Sequence, residues 1–276
     1  MAHTQLAILG GGNMGRALIG GLLRRGTRPE HIRVGESSES ARAALARDFR
    51  IQTTPDNRLA IEAATLLIVA VKPQDMGDVL RPLRPVLQQN RPTVVSVAAG
   101  IRVSSLESWC GADVPVVRAM PNRPALVGAG ATGLFAPLNV LSGPRTAAQH
   151  ALEAVGETVW VTSEEQLDVV TALSGSGPAY FFLLAELMTQ GAIDLGLDAV
   201  AARRLAVATL HGSGQLAHGS DGDLERLRAE VTSKGGTTEA AVRLLDSAGL
   251  RGIMARALQA AMQRSRELAA QFGAER

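Results

Sequence analysis

The chain contains the glycine-rich motif Gly10-Gly11-Gly12-Asn13-Met14-Gly15 between two segments with different patterns. The apolar run 6–9 before it predicts a strand, and residues 16–25 after it predict a helix. A strand, a G-x-G-x-x-G turn and a helix, in that order, are typical of dinucleotide binding. The glycines would serve the tight turn, the close approach of a pyrophosphate to the backbone, and the packing of helix on strand. The simpler alternative is a glycine-rich turn that binds nothing.

Strand and helix patterns alternate through the first half of the chain, and only helical spacing follows about residue 164. The predicted strands are 6–9, 32–34, 66–71, 93–97, 114–118, 133–135 and 158–161. Helices are predicted at 38–48, 57–64, from 75 onward, and then at 178–195, 198–216, 221–230, 237–247 and 250–272. We therefore expect an α/β protein with a Rossmann doubly wound, mostly parallel sheet in residues 1–163 and an all-helical domain in residues 164–276.

Composition limits the classes of function. The chain has 276 residues, of which 46% are hydrophobic and 20% charged, as in globular proteins. A net charge of +2 and 3% aromatic residues argue against nucleic-acid binding. Cys110 is the only cysteine, so it excludes a disulfide within the chain, and no two histidines have metal-ligand spacing. We expect a buried Cys110 thiol and no metal.

No signal-peptide pattern is present near the glycine motif. The most apolar predicted helix, near 179–197, includes Glu186, Gln190 and Asp194, and we judge it too polar to span a bilayer. These observations predict a cytoplasmic protein with no membrane partner.

Small residues and prolines follow the predicted strands, in Lys72-Pro73-Gln74, Ala98-Ala99-Gly100 and Ala119-Met120-Pro121-Asn122. Ligands of doubly wound sheets bind at the carboxyl ends of the strands. We therefore expect these loops to border the cofactor, although each of them alone has the composition of an ordinary loop.

Glu36 ends the second predicted strand, about 20 residues after Gly15, where an acidic residue suits the ribose 2′-hydroxyl of NADH. Ser37, Ser38 and Arg42 would instead suit the 2′-phosphate of NADPH. An exposed acid at the start of a helix is the third interpretation. The sequence leaves NADPH and NADH open.

The second half has two notable segments. Ser174-Gly175-Ser176-Gly177-Pro178 predicts the start of an apolar helix, as a closely packed cap or as a ligand contact, and this helix must be covered internally or by a second subunit. In Ser233-Lys234-Gly235-Gly236-Thr237-Thr238, two glycines and three hydroxyls precede a helix. Backbone N–H groups there would hold an anion such as a carboxylate, whereas the plain alternative is a capped helix start.

Together, these motifs and their order resemble the Δ1-pyrroline-5-carboxylate reductase family over nearly the whole chain. The resemblance rests on the glycine motif, Ala70-Val71-Lys72-Pro73, Ala98-Ala99-Gly100, Arg118-Ala119-Met120-Pro121-Asn122, the segment from Ser174 to Tyr180 and, most specifically, the loop from Ser233 to Thr238. Arg123 and Lys234 stand where the family usually has Thr and Pro, and Glu36 stands where a small polar residue is frequent.

The resemblance implies reduction of the cyclic imine of pyrroline-5-carboxylate to L-proline with NADPH or NADH, the last step of proline biosynthesis. It implies a helical domain that interleaves with its twin in a homodimer, and dimers that assemble further, often into a decamer. Cofactor contacts are implied for Gly10, Gly11, Gly12, Asn13, Met14, Gly15, Glu36, Ser38, Asn57, Ala70, Val71, Lys72, Pro73, Ala98, Ala99 and Gly100. Substrate contacts are implied for Glu164, Ser233, Gly235, Gly236, Thr237 and Thr238.

In the resulting hypothesis, the N–H groups of Gly236, Thr237 and Thr238 bind the substrate carboxylate. The Thr238 hydroxyl is the catalytic group that orients the ring nitrogen. The proton would come from water or from an already protonated imine. One rival is a β-hydroxyacid dehydrogenase, which would need a lysine that is missing from 180–195. The other is a nucleotide-sensing or assembly protein without catalysis.

Overall fold

The structure is a computed structural model that describes residues 5–220 and 222–273. Within them, the chain divides into two compact units. The first contains the residues up to 176 together with those from 261 onward, and the second contains residues 177–260.

The first unit is built on one sheet with the strand order β3-β2-β1-β4-β5-β6-β7-β8. All neighbouring strands are parallel except β6 and β7, which run antiparallel. The strands are β1 Leu6–Leu9, β2 Ile32–Gly35, β3 Gln52–Thr54, β4 Leu66–Val69, β5 Thr93–Ser96, β6 Val116–Met120, β7 Gly130–Phe135 and β8 Gly156–Trp160. This arrangement confirms the predicted doubly wound sheet.

Helices cover both faces of this sheet, because the central strands are apolar on both sides. In β1, Leu6 and Ile8 belong to one buried cluster, and Ala7 and Leu9 belong to the other. The helices of the first unit are α1 Asn13–Arg24, α2 Glu39–Phe49, α3 Asn57–Ile61, α4 Met76–Leu80, α5 Arg84–Asn90, α6 Val103–Cys110, α7 Ser142–Glu153 and α8 Gln166–Val170.

Four elements of the first unit, β3, α6, α7 and α8, were not predicted. Helix α8 is only the five residues Gln166–Val170. Strand β3 is only Gln52-Thr53-Thr54, which is polar and too short to show alternation. Helix α6 follows a loop of small residues, and α7 begins at Ser142-Gly143-Pro144, a composition typical of turns. Tertiary contacts therefore determine the secondary structure of these segments, because their local sequence patterns are weak.

The second unit is helical, as predicted. It contains α9 Gly177–Asp194, α10 Ala199–His218, α11 Leu224–Glu230, α12 Thr237–Ser247 and the first part of α13 Leu250–Gly273. Asp221, the predicted first residue of the α11 segment, lies outside the described residues. Most of the apolar side chains of α9 are exposed in the single chain, including Phe181 (58%), Phe182 (60%) and Leu187 (59%). Other parts of the same chain therefore leave the apolar surface of this helix exposed.

The predicted start of α9 at Pro178 is correct to within one residue, since α9 begins at Gly177, but the helix continues an earlier helical run instead of starting anew. Residues 166–194 form one helical run, which widens into a π-helical turn at Thr171–Gly175, where the Ser176 N–H donates to the Thr171 carbonyl over 2.8 Å. Pro178 has no N–H for the carbonyl of Ser174, four residues earlier. Instead, the side-chain amide of Asn122 donates to the Ser174 carbonyl over 2.9 Å.

Asn122 also accepts the Ala131 N–H over 2.9 Å, and its side chain is buried. Replacement of Asn122 by Ala should lower the free energy of unfolding by roughly 2–4 kcal/mol, because two partly buried backbone groups lose their partner. Asn90 is the matched control, since its exposed amide donates to the Glu62 carbonyl over 2.8 Å. Asn90→Ala should cost less than about 1 kcal/mol. Urea denaturation at one protein concentration measures both, and equal losses would contradict this account of Asn122.

Candidate functional site

The glycine motif forms the turn between β1 and α1. Gly10 has a positive φ of 99°, and a Cβ there would lie 2.7 Å from the Ala70 carbonyl oxygen. A Cβ at Gly15 would collide with the Gly10 carbonyl oxygen. Both positions therefore require glycine for the helix to begin this close to the strand.

The N-terminus of α1 offers free donors beside open space. Gly12 is the N-cap residue, and no side chain caps the helix. The N–H groups of the first turn have no partner within a helix, so Gly12, Asn13 and Met14 present theirs outward. A Cβ at Gly12 would meet no heavy atom of the described chain within 4 Å. A pyrophosphate fits such a turn, since the helix dipole favours negative charge there.

The loops after β4 and β5 lie at the same sheet edge as the glycine turn, because β1, β4 and β5 are parallel neighbours in register. Ala70 continues β4 and donates its N–H to the Leu9 carbonyl over 2.7 Å. Lys72 precedes a 3₁₀ turn that starts at Pro73, and Val71 is half-buried. After β5, Ala98 and Ala99 lead to Gly100, whose φ is 78°.

The acidic residue at the end of β2 lies beside the glycine turn. One carboxylate oxygen of Glu36 accepts the Gly11 N–H over 2.8 Å, and the other accepts the Ser38 N–H over 2.9 Å. Ser38 is the N-cap of α2, where its hydroxyl accepts the Ala41 N–H over 3.3 Å. These bonds fix the carboxylate next to the motif, and only part of its acceptor capacity is used.

The neighbouring Arg42 turns back to the backbone, where its guanidinium donates to the carbonyls of Glu36 over 2.8 Å and Ser37 over 2.7 Å. Asn57, the first residue of α3, has its side-chain oxygen beside the α-carbon of Gly35. The predicted cofactor residues Glu36, Ser38 and Asn57 therefore all lie around the carboxyl end of β2.

Glu164 has structural partners within the first unit. Its carboxylate oxygen Oε1 accepts from the buried Arg118 guanidinium and from the Val103 N–H, both over 2.8 Å. These contacts join the start of α6 to β6. Helix α8, which follows Glu164, carries the fully buried Asp168, which accepts the Ser265 hydroxyl over 2.7 Å.

The loop that carries the other predicted substrate residues belongs to the second unit and precedes α12. The Gly236 N–H donates to the Ser233 carbonyl over 3.0 Å, and Gly235 has a φ of 73°. One donor of the predicted carboxylate cradle is therefore already used inside the loop. Thr237 and Thr238 are the first two residues of α12, so their N–H groups have no helical acceptor.

Sequence reasoning missed one residue that contacts this loop. Glu239 accepts the Gly235 N–H over 2.7 Å through its side chain. The signal was present, because Glu three residues after an N-cap is the spacing of a capping box.

Cys110 is buried, as expected from the sequence, and burial raises the pKa of its thiol to about 12. It therefore stays a thiol at neutral pH and does not act as a nucleophile.

The fold and this site define a class, the pyridine-nucleotide-dependent oxidoreductases. Comparison with known proteins narrows the class. A family model described as pyrroline-5-carboxylate reductase dimerisation matches residues 164–268, and one described as NADP oxidoreductase, coenzyme F420-dependent, matches residues 5–100. A pyrroline-5-carboxylate reductase of Pseudomonas aeruginosa is 43% identical over 99% of this chain and 100% of its own length.

Solved structures agree with these matches. A pyrroline-5-carboxylate reductase from Coxiella burnetii is 38% identical with a TM-score of 0.93, over 96% of this chain and 98% of its own. The enzyme of Plasmodium falciparum, solved with NADP bound, is 26% identical with a TM-score of 0.82, over 98% of this chain and 99% of its own. The chain belongs to the pyrroline-5-carboxylate reductase family.

The predicted family, fold class and activity are thereby confirmed. The protein is an NAD(P)H-dependent oxidoreductase of proline biosynthesis that reduces the C=N bond of pyrroline-5-carboxylate, and its second part is a dimerisation domain. The two rival functions are set aside.

Gly15→Ala should weaken dinucleotide binding by about tenfold or more, because the added Cβ pushes α1 away from Gly10. Gly143→Ala is the matched control: it lies in α7, where a Cβ meets nothing within 4 Å. Titration with NADH and NADPH, followed by fluorescence, measures both variants. Unchanged binding by Gly15→Ala would contradict the assigned turn.

Proposed function

We propose that residues 1–163 hold the dinucleotide and that residues 164–276 hold the substrate and the dimer interface. The cofactor residues are those that surround the carboxyl ends of β1, β2, β4 and β5, from the glycine turn to Gly100. The observation that carries this proposal is the open helix N-terminus at Gly12, where a turn made of glycines leaves room for a pyrophosphate.

The substrate cradle in this proposal is the N-terminus of α12. The N–H groups of Thr237 and Thr238 bind the substrate carboxylate, with help from the Ser233 hydroxyl and from the positive end of the helix. Gly235 and Gly236 give the loop its shape. The contribution of Glu164 is indirect, through Arg118 and the start of α6.

The chemistry needs a hydride at carbon and a proton at nitrogen. When bound, the reduced nicotinamide supplies the hydride. The Thr238 hydroxyl accepts a hydrogen bond from the ring nitrogen of the protonated imine and so orients the C=N bond. Since the nitrogen already carries its proton, hydride addition to carbon yields the secondary amine of proline directly. The protein then has to bind and orient, and it needs no strong acid.

A second copy of the chain covers α9 in this proposal. The expectation that Glu186, Gln190 and Asp194 make this helix too polar to span a bilayer is wrong. Among the described residues, the helical run 166–194 is long and apolar enough to cross a membrane by length and composition, with a mean hydropathy of 1.3 and 22% of the most apolar window buried. The dimerisation family model includes this run, which supports a homodimer interface there. We extend the proposal to a decamer of five dimers in the cytoplasm, as the family resemblance implies.

For the cofactor we propose a preference for NADH. The Glu36 carboxylate is fixed by the Gly11 and Ser38 N–H groups at the end of β2, where the adenosine ribose of a bound dinucleotide would lie. It accepts a ribose hydroxyl and repels a 2′-phosphate. Arg42 is directed to backbone carbonyls and offsets this repulsion only in part.

Thr238→Ala should lower kcat/KM for pyrroline-5-carboxylate by about tenfold to a few hundredfold, as loss of one positioned hydrogen bond of ~1.5–3 kcal/mol would. Thr238→Ser keeps the hydroxyl and should stay within about threefold of the unmodified enzyme. The decrease in NADH absorbance measures both. An unchanged kcat/KM for Thr238→Ala would remove the hydroxyl from the mechanism.

Glu36→Gln should shift the ratio of kcat/KM for NADH over NADPH toward NADPH by about tenfold or more, because the carboxylate charge is lost while the side-chain shape is kept. Glu30→Gln is the control with the same charge change; Glu30 precedes β2 at the opposite end of that strand and pairs with Arg28. The proposal fails if Glu36→Gln leaves the ratio unchanged, if Glu30→Gln shifts it as much, or if the unmodified enzyme prefers NADPH.

A further inference from the structure

The turn before α12 has a defined geometry. The Gly236 N–H donates to the Ser233 carbonyl, so Ser233 to Gly236 form a four-residue β-turn. Gly235, the third residue, has a φ of 73°, whereas Lys234, the second residue, is not among the non-glycine residues with positive φ. A positive φ at the third position alone is the pattern of a type II turn.

Lys234 occupies the second position of this turn, where a proline would restrict the backbone most. Proline is favoured at the second position of type II turns because its ring fixes φ near −65°. Lys234 leaves that φ free to vary, so the turn loses more backbone entropy on ordering than a proline turn would. The cradle donors of Thr237 and Thr238 follow this turn directly, and its conformation sets where they point.

Glu239 supplies the missing restraint. Its carboxylate accepts the Gly235 N–H over 2.7 Å, across the first turn of α12. In a capping box, the Glu at this position binds the N–H of the N-cap residue. Here the N-cap is Gly236, whose N–H already closes the β-turn, so Glu239 reaches one residue further back. Arg243 pairs with the other oxygen at 3.4 Å and steadies the carboxylate.

We infer that Glu239 is a positioning residue for substrate binding, which holds the Ser233–Gly236 turn through the Gly235 N–H and thereby aligns the Thr237 and Thr238 donors. This inference rests on the proposed substrate cradle. Glu239 affects binding of the substrate carboxylate rather than hydride transfer, because it contacts the turn and not the reacting atoms. A proline at position 234 would restrain the same turn by fixing the φ of that residue.

The test compares steady-state kinetics of several variants at saturating cofactor. Glu239→Ala should raise KM for pyrroline-5-carboxylate about threefold to tenfold, the range of one hydrogen bond, with kcat changed by less than about twofold. Glu239→Gln keeps an acceptor of the same reach and should stay within about twofold of the unmodified enzyme. Glu239→Asp is one methylene shorter and should behave like the Ala variant.

The most discriminating test is whether a second substitution restores KM in the Glu239→Ala variant. Lys234→Pro combined with Glu239→Ala should return KM to within about twofold of the unmodified enzyme, because proline restricts the turn without the carboxylate. Glu225→Ala is the matched control, since Glu225 pairs with Arg228 inside α11 and should leave KM unchanged. Rescue that fails, or a Gln variant as poor as the Ala variant, overturns the inference.

A readout without substrate separates this inference from the proposed cradle. Hydrogen exchange of the Gly236 amide, which closes the β-turn onto the Ser233 carbonyl, should quicken in Glu239→Ala in the free protein and slow again in the double variant. Faster exchange with an unchanged KM would refute the cradle, whereas unchanged exchange would refute the role of Glu239. If Glu239→Ala does not fold, the Asp and Gln variants decide by the same two measurements.

Discussion

The structure depends on how closely the first helix can approach the first strand. Gly10 and Gly15 meet backbone oxygen atoms where any other residue would place a Cβ, so α1 begins directly above the end of β1. The central strands are in parallel register with β1, and their carboxyl ends therefore open toward the same helix terminus. The loops at Ala70 and Gly100 and the carboxylate of Glu36 all take their places from this one contact.

Much of this arrangement follows from the sequence, because the signals are strong where both faces of a strand are buried. Continuous apolar runs predicted β1, β4 and β5 within about two residues, and the long helices of the second unit have clear periodicity. Weak local patterns explain the omissions. The polar strand β3 gains its hydrogen bonds from β2, and no feature of Gln52–Thr54 by itself requires a strand.

The candidate site likewise divides into features that the sequence predicts and features that it does not. Residue types and spacing identify the glycine turn and the loop before α12, but they do not show which N–H groups remain available. Gly236 uses its donor within the loop, and Glu36 spends part of its acceptor capacity on Gly11 and Ser38. Such pairings depend on side-chain direction after folding. Pro178 illustrates the limit, because its missing donor is compensated by Asn122, more than 50 residues away in the sequence.

The exposed apolar surface of α9 has a consequence for how this protein behaves in solution. Large aromatic and aliphatic side chains that face water in one chain become buried only when chains meet, and a patch of this kind favours association. Folding of the second unit and assembly are then linked by mass action. In the proposed homodimer, the free energy of unfolding therefore rises with protein concentration and falls on dilution.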